Sequence, residues 1–413
     1  MLDKPAIFGG EPVAKKPIKF TEIIIGDEEK RAIMEILETK QFVSGDYITK
    51  FEKEFAAFVG AKYAISISNG TDALFLAYLA LGITFGNYVI TTPLTFVATA
   101  SSIIHAGAIP LFADVEDDGN LSPKSIEKVM DTYSANAITV VHMYGKPAKM
   151  DEILEIARER NSYVIEDAAH AHGAEYKGRK VGTLGDIATF SLYPTKILAA
   201  GGWGGVITTN RKEIADSLIL LRAHGELRHV LGREGEYLYA KLGYNMRMSN
   251  IEAAVAYYQL RKIDRFIEQR RKIARLLNDA LEDIPGINPP TEEPYIRHVY
   301  YIYSITIDEK EIGWPRDDFV RALNAEGIEA RTGYHVPLHK QELFIKINDP
   351  TINHFARVNK YPEYSKQTFP QAEKLAKYTI WLPMHPNLTE EDVEKISYAI
   401  TKLIKWRRKN KTF

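Results

Sequence analysis

Between residues 50 and 210, short apolar runs alternate with segments in which apolar positions recur at helical spacing. The short runs are rich in β-branched and aromatic residues, which favours strands. We predict strands at 63–67, 88–91, 109–112, 137–141, 163–166, 187–192 and 205–209. We predict helices at 71–81, 96–105, 151–160 and 211–221. Strands separated by helices predict an α/β domain built around a largely parallel, buried sheet.

The pattern changes after a long helical stretch that begins near residue 250. The segment 295–307 is aromatic and β-branched, which predicts a strand. Helical spacing returns at 317–326 and 390–404. We therefore predict a large α/β domain at 1–260, which includes the N-terminal segment, and a smaller α+β domain at 261–413.

Composition narrows the class of protein. The 413 residues are 45% hydrophobic, which is enough for a large buried core. The 53 Lys and Arg nearly balance the 54 Asp and Glu, and a net charge of -1 argues against a nucleic-acid partner. Because the chain has no cysteine, disulfides and thiolate metal sites are excluded.

No segment has the length of a membrane helix. The longest apolar run, 73–86, is interrupted by Thr84 and is shorter than the ~20 residues that a membrane helix needs. Residues 1–20 contain no apolar core of signal-peptide length. We therefore expect a cytoplasmic protein with no membrane partner.

Three segments with chemical potential follow predicted strands. They contain Gly70 and Thr71 at a helix start, Asp167 at a strand end, and Lys196. Ligand sites in α/β sheets lie beyond the carboxyl ends of the strands, so these residues can converge. A lysine, a carboxylate and a phosphate cradle are what pyridoxal phosphate (PLP) chemistry needs, together with an apolar group against the ring.

Each of these features also has a simpler interpretation when it is taken alone. A strand-end aspartate or a Gly-Thr helix start is more often a helix N-cap, and a lysine is more often a surface residue. Ser191 could add a phosphate contact, and Phe96 could stack on a ring, although an isolated Phe is more often core. The pair His170 and His172 has no second ligand cluster with metal spacing elsewhere, so we predict no metal site.

Taken together, these segments resemble the DegT/DnrJ/EryC1/StrS family of PLP-dependent sugar aminotransferases over nearly the whole chain. The most specific segment is 166–174, Glu-Asp-Ala-Ala-His-Ala-His-Gly-Ala. The others follow in the order of the family, at 42–45, 51–52, 68–74, 95–99, 112–115, 141–145, 190–191, 195–196, 221–225 and 243–249. The resemblance implies the aspartate-aminotransferase fold (PLP-dependent transferase fold type I), with a mixed, mostly parallel sheet.

The resemblance also implies roles for the residues around the cofactor ring. Lys196 would hold PLP as a Schiff base and later shuttle a proton between the substrate carbon and the cofactor. Asp167 would pair with the pyridine nitrogen, and His170 would lie near the ring and its phenolic oxygen. Phe96 would stack on the ring.

The phosphate has its own implied set of residues. Gly70, Thr71 and Ser191 would hold it from one subunit. Asn245 would reach it from the neighbouring subunit, so the resemblance implies a homodimer with shared active sites.

The substrate residues are less marked. Trp203 stands where many family members have Glu. His335 lies in a segment, 334–339, that resembles a family segment close to the substrate. Arg247, together with Arg222, Arg228 and Arg233, could meet a nucleotide diphosphate or the donor carboxylate, although each is more often a surface residue.

The leading hypothesis is transfer of an amino group from L-glutamate or L-glutamine to a keto sugar, nucleotide-linked, in amino-sugar or polysaccharide biosynthesis. A cyclitol ketone such as an inosose is the second acceptor, since 7–13 resembles that branch. PLP-dependent elimination, as in the aminohydroxybenzoate-synthase branch, and a PLP-binding regulator are the alternatives. Relatives that are dehydratases have His in place of the lysine, so Lys196 argues against that reaction.

Overall fold

The computed structural model describes residues 4–227 and 237–410. Within them the α-helices are α1 (Asp27–Thr39), α2 (Asp46–Val59), α3 (Gly70–Ala80), α4 (Ala98–His105), α5 (Pro123–Met130), α6 (Met150–Glu159), α7 (Lys212–Arg222), α8 (Asn250–Leu260), α9 (Ile263–Leu281), α10 (Glu309–Ile312), α11 (Arg316–Ala325), α12 (Glu342–Ile345), α13 (Pro370–Tyr378) and α14 (Glu390–Lys409). The strands are β1 (Tyr63–Ile67), β2 (Tyr88–Thr91), β3 (Ile109–Phe112), β4 (Ala137–Val141), β5 (Tyr163–Asp167), β6 (Glu175–Tyr176), β7 (Arg179–Lys180), β8 (Ile187–Ser191), β9 (Gly205–Thr209), β10 (Ile287–Asn288), β11 (Ile296–Arg297), β12 (Tyr303–Ile307) and β13 (Thr379–Leu382).

Seven strands form the large sheet, in the order β1-β9-β8-β5-β4-β2-β3. Strand β9 is antiparallel to both of its neighbours, and the other neighbouring pairs are parallel. Every strand except β9 therefore points the same way, and the prediction of a mixed, mostly parallel sheet is confirmed. The carboxyl ends of six strands consequently meet at one edge of the sheet.

Helices cover both faces of this sheet. Adjacent strand residues face opposite sides. In β5, Val164 packs into a core with α2, α6 and α8, whereas Ile165 packs into a separate core with α3 and α7. Burial of both faces explains why the strands are largely apolar and do not alternate between apolar and polar residues.

A second, smaller sheet follows the large one in the chain. Its antiparallel strands β10, β12 and β13 share a core with α11, α14 and the second half of α9, which contributes Ile273 and Leu277. The first half of α9 packs into the core of the large sheet through Ile263 and Ile267. Helix α9 therefore connects the two cores.

The N-terminal segment lies against the smaller core. Ala14 and Ile18 belong to that core, and the Glu326 carboxylate accepts hydrogen bonds from the backbone N–H groups of Ala6 at 2.9 Å and Val13 at 3.0 Å. The sequence groups this segment with the large domain, whereas these contacts are with the smaller one. The boundary after residue 260 stays a prediction.

The strand predicted at 295–307 is broken in the structure into β11 and β12. Between them the N–H of Val299 donates to the carbonyl of Gly145 at 3.1 Å, and the N–H of Ile302 donates to the carbonyl of Tyr144 at 3.3 Å. Tyr300 adopts a left-handed backbone with φ of 46°. Pairing with residues 144 and 145 interrupts the strand and directs the segment toward the carboxyl edge of the large sheet.

Over the described ranges, no helix combines the length and the apolar character that a membrane crossing requires.

Candidate active site

A cavity of about 480 Å³ opens at the carboxyl edge of the large sheet, which is the size of a small-molecule site. The strand ends bring together residues that are far apart in sequence. The predicted site residues that line it are Gly70, Thr71, Phe96, Asp167, His170, Ser191, Lys196 and Trp203.

The N-terminus of α3 forms one end of the cavity. Asn69 is its N-cap, with Oδ1 accepting a hydrogen bond from the N–H of Asp72 at 2.9 Å. Gly70 and Thr71 are the first helical residues, whose N–H groups have no acceptor within a helix. A Cβ on Gly70 would lie 2.7 Å from the Cβ of Ser191, so glycine allows α3 to approach the end of β8 closely. This end can cradle an anion.

Asp167 ends β5 and is buried at the base of the cavity. Its Oδ2 accepts a hydrogen bond from Thr99 Oγ1 at 2.8 Å, and its Oδ1 accepts one from the N–H of Ala169 at 3.3 Å. Burial raises the pKa of Asp167 above its ordinary value, although these two bonds and the charge of Lys196 oppose the rise. A cationic group against this carboxyl would therefore favour its ionised form.

The preceding residue, Glu166, anchors the end of β5 from the opposite face. Its Oε1 accepts hydrogen bonds from the N–H groups of Leu184 at 2.8 Å and Gly185 at 2.9 Å. Its Oε2 accepts from the N–H of Gly182 at 3.0 Å and from His142 Nε2 at 3.1 Å. Burial alone raises the pKa of this carboxyl, but the hydrogen bonds and the charge of His142 outweigh burial and lower it.

His170 follows Asp167 by three residues and is also buried. Its ring stacks on the Tyr301 ring, with centroids 4.5 Å apart and planes 29° apart. Its Nδ1 has no hydrogen-bond partner among the described residues. Burial, and then the charges of Lys196 and His172, hold the pKa of His170 well below its usual range. The ring is therefore neutral and leaves one nitrogen available to a ligand.

Lys196 follows β8 and extends into the cavity. Its Nζ donates a hydrogen bond to the Tyr301 hydroxyl at 3.3 Å and lies 4.4 Å from the centroid of that ring. Burial alone would raise the pKa of Tyr301, but the charge of Lys196 and hydrogen bonds with Thr195 and Lys196 outweigh burial and lower it. The sequence predicts only a strand around Tyr301. The one unusual feature of the sequence there is the pair of adjacent tyrosines 300 and 301, which interrupts the alternation of side chains that a strand would show.

Aromatic side chains form much of the remaining wall. Tyr334 and Trp381 also line it, and their rings meet edge to face with centroids 5.1 Å apart. At the mouth, the rings of Tyr193 and Trp203 lie 5.5 Å apart, and Trp203 is 63% exposed. The sequence does not single out Tyr334, Trp381 or Tyr193, because isolated aromatic residues are usually core.

The chemistry of this cavity fits pyridoxal phosphate. The end of α3 offers N–H groups where a side chain on Gly70 would not fit, as a phosphate requires. Asp167 is a buried carboxyl that forms no ion pair among the described residues. His170 Nδ1 has no hydrogen-bond partner there, and Lys196 offers a primary amine. Across 4–227 and 237–410, no group of three or more His, Cys, Asp or Glu is arranged to hold a metal ion.

Residues 23–401 match the sequence model of the DegT/DnrJ/EryC1/StrS aminotransferase family. The chain belongs to this family. It is therefore a PLP-dependent aminotransferase, and the predictions of the family, the fold type, the enzyme class and the cofactor are confirmed.

Three proteins illustrate the similarity. The spore coat polysaccharide biosynthesis protein SpsC of Bacillus subtilis (strain 168) is 37% identical over 394 residues, which cover 92% of this chain and 96% of SpsC. The GDP-perosamine synthase of Caulobacter vibrioides is 35% identical, over 91% of this chain and 95% of the synthase. The structure of NtdA from Bacillus subtilis with bound cofactor PMP has a TM-score of 0.82 at 25% identity, over 95% and 86% of the two chains.

Three predicted site residues lie outside the cavity of the single aminotransferase chain. Asn245 is exposed, and its Oδ1 accepts hydrogen bonds from Arg247 Nε at 3.2 Å and Nη2 at 3.0 Å. His335 is also exposed, with Nδ1 3.5 Å from the carbonyl of Gly333, while its neighbour Tyr334 lines the cavity instead.

Arg222, another of the predicted substrate residues, does not line the cavity either. Arg222 Nη1 donates to Glu52 Oε1 at 2.5 Å and to the carbonyl of Ser66 at 2.8 Å, so it is a structural residue here. Arg228 and Arg233 lie outside the described residues.

Proposed function

We propose that this aminotransferase moves an amino group from L-glutamate or L-glutamine to a nucleotide-linked keto sugar in amino-sugar or polysaccharide biosynthesis. The observation that carries the proposal is one cavity that holds Lys196, Asp167 and the N-terminus of α3 together. The printed functions of GDP-perosamine synthase and SpsC support a sugar acceptor. The cytoplasm remains the predicted compartment.

Five residues would hold the cofactor. Lys196 would bind it covalently through Nζ, and the Asp167 carboxylate would accept a hydrogen bond from its protonated ring nitrogen. Gly70, Thr71 and Ser191 would bind its phosphate. The raised pKa of Asp167 supports this assignment, because a protonated ring nitrogen supplies the positive charge that the buried carboxyl lacks.

Two further residues would orient the ring. Phe96 is 60% exposed at the cavity and would cover one face, which accounts for a large apolar side chain left open. His170 would meet the phenolic oxygen through a ring nitrogen, and its low pKa keeps it neutral for that contact.

When bound, PLP supplies an aldehyde carbon that accepts an amine and a ring that accepts electrons from the adjacent substrate carbon. Lys196, once its amine is free, takes a proton from the carbon that carries the donor's amino group. In the second half of the reaction it delivers a proton to the former ketone carbon of the sugar. Asp167 keeps the ring nitrogen protonated throughout, so that electrons can be drawn from the substrate carbon.

We also propose a homodimer with shared active sites. Lys196 is the only Lys or Arg in the described lining of the cavity, although a cofactor phosphate, a donor carboxylate and a sugar nucleotide are all anionic. Asn245 and Arg247 are paired at the surface and could serve a neighbouring subunit. Trp203, which lines the cavity, is 63% exposed, and such a large exposed aromatic side chain supports a covered surface there.

The test begins with the purified holoenzyme. Adding L-glutamate or L-glutamine should shift the visible absorbance of the cofactor as it takes up the amino group. A keto-sugar nucleotide should then accept that amino group and return the cofactor to its aldehyde form, with the amino sugar detected by mass spectrometry. Lys196→Ala is the control and should show no shift. Absence of a shift with either amino acid in the wild type would refute L-glutamate and L-glutamine as the amino donors.

The same preparation separates the alternatives. Inososes are offered in parallel with keto-sugar nucleotides, so the preferred acceptor is read directly. A dehydrated product that forms without consumption of an amino donor would instead support PLP-dependent elimination. Our proposal is refuted if neither class of ketone discharges the amino form.

A further inference from the structure

Tyr301 is the side chain that contacts both Lys196 and His170. We infer that Tyr301 is a positioning residue, which holds the free amine of Lys196 at one place in the cavity during the reaction. The inference rests on the proposed function, since the amine is free only when Lys196 acts in proton transfer. Tyr301 lies in the segment between β11 and β12, so the position of Lys196 depends on a part of the chain that is 105 residues away in sequence.

The contact uses two different parts of the Tyr301 side chain. The hydroxyl accepts a hydrogen bond from Lys196 Nζ at 3.3 Å, and the ring centroid lies 4.4 Å from Nζ. Thr195 Oγ1 lies 3.4 Å from the same hydroxyl and His170 stacks on the ring, which fixes the phenol from two directions. A lysine has a flexible four-carbon stem, so such a contact restricts an amine that would otherwise sample several rotamers.

The backbone around Tyr301 is held unusually firmly. Tyr300 has a φ of 46°, in the left-handed region that costs free energy for a residue with a side chain. Arg270 Nη1 donates to the carbonyls of Tyr300 and Tyr301, each at 3.2 Å, and to that of Met384 at 2.9 Å. Such strain persists only when the surroundings over-determine it, which is what the buried arginine and the pairing with residues 144 and 145 do.

The charges near the phenol agree with this role. The titratable groups that act on Tyr301 or stack against it are Lys196, Arg270, His170 and Tyr334. Burial raises the pKa of Tyr301, but the charge of Lys196, the hydrogen bonds and the charge of Arg270 lower it overall. Lys196, Thr195 and Arg270 together therefore outweigh the effect of burial on this pKa.

The test compares Tyr301→Phe with Tyr303→Phe. Phenylalanine at 301 keeps the ring that stacks on His170 and removes only the hydroxyl, so the fold should survive. Tyr303 is a matched control on the adjoining strand, because its hydroxyl bonds Asn278 Oδ1 at 2.6 Å and does not line the cavity.

The first readout is independent of turnover. In the full-length chain freed of cofactor, the near-ultraviolet absorbance of tyrosinate is titrated, and the Tyr301→Phe curve is subtracted from that of the wild type. The difference should show a phenol that ionises below the ordinary tyrosine range. In a Lys196→Met background the same difference should move to higher pH, because burial remains and the cation is gone. A phenol that titrates at the same pH in both backgrounds would overturn the inference.

The second readout is the donor half-reaction of the holoenzyme. Tyr301→Phe should lower its rate constant roughly tenfold, the kinetic equivalent of one hydrogen bond, with little change in the donor KM. Tyr303→Phe should leave both unchanged. An unaltered rate constant in Tyr301→Phe would overturn the inference while leaving the proposed function intact, whereas a wild type without donor-dependent absorbance would remove the proposed function itself.

Discussion

Replacing Glu166 by glutamine tests whether the anchor behind Asp167 is as important as its hydrogen bonds suggest. The carboxylate is fully buried and accepts four hydrogen bonds, two at each oxygen. Glutamine has nearly the same shape but carries an NH₂ in place of one oxygen. Whichever way the amide is turned, two N–H donors then face another donor and lose their acceptor.

The magnitude follows from that count. An unsatisfied buried donor costs about 1–3 kcal/mol, so two of them predict a loss of roughly 2–6 kcal/mol in the free energy of unfolding. His142 cannot escape the conflict by moving its proton, because its Nδ1 already accepts the N–H of Ala148 at 3.1 Å. The predicted loss is therefore not relieved by a change of tautomer.

The pH dependence has a defined sign. The pKa of Glu166 is lowered below 4.5 in the folded chain, so its contribution to stability is present above the unfolded pKa and is lost as the pH falls through the folded one. Glu166→Gln should remove this contribution. The gap between wild type and variant should narrow as the pH falls below about 4.5.

The assay is urea unfolding of the full-length chain, followed by circular dichroism at neutral and acid pH. Glu268→Gln is the matched control, because Glu268 is 58% exposed and pairs with Arg297 at the surface at 2.7 Å, where such a pair contributes about 0–1 kcal/mol. If Glu166→Gln unfolds at the same urea concentration as Glu268→Gln, the reasoning about the buried carboxylate is wrong.

Three other changes probe the cavity. Gly70→Ala should weaken PLP binding roughly tenfold for each phosphate hydrogen bond lost, because the new Cβ would lie 2.7 Å from that of Ser191. Titration of the cofactor-free chain with PLP measures this affinity. An unchanged affinity would contradict the phosphate cradle. Chains with Lys196→Ala and with Asn245→Ala, each impaired alone, should regain activity when unfolded and refolded together if Asn245 acts across subunits, and no gain on mixing would place Asn245 outside the shared site. Burial lowers the pKa of His172 to about 3, so on acidification the unfolded chain takes up a proton at this residue before the folded chain does. Acid should therefore remove about 1.4 kcal/mol of stability per pH unit between 6.5 and 3. His172→Phe should flatten this part of the stability-pH curve, and an unchanged slope would contradict the role of His172.

The sequence predicts the strands and helices of the large sheet well, because local patterns of residues encode them. The strands at 63–67, 88–91, 109–112, 137–141 and 205–209 have the predicted bounds, since each is a short and largely buried run that favours a strand. Helix starts and ends differ by one or two residues, as expected where caps rather than periodicity decide them.

The active-site residues also divide into those that the sequence indicates and those that it does not. Lys196, Asp167 and the start of α3 follow strand ends, and a parallel sheet brings strand ends together whatever the details of packing. Their order and spacing also carry the family resemblance. These residues could therefore be found without coordinates.

Tertiary structure alone decided the rest. Tyr301, Tyr334 and Trp381 line the cavity although each lies more than a hundred residues after Lys196 in the chain. Tyr301 lies where long-range hydrogen bonds interrupt the predicted strand. No local periodicity records such contacts, because they depend on how distant segments of the chain pack together. The sequence by itself determined the cofactor-binding edge of the sheet, and the packing of residues beyond 300 against that edge determined what faces Lys196 across the cavity.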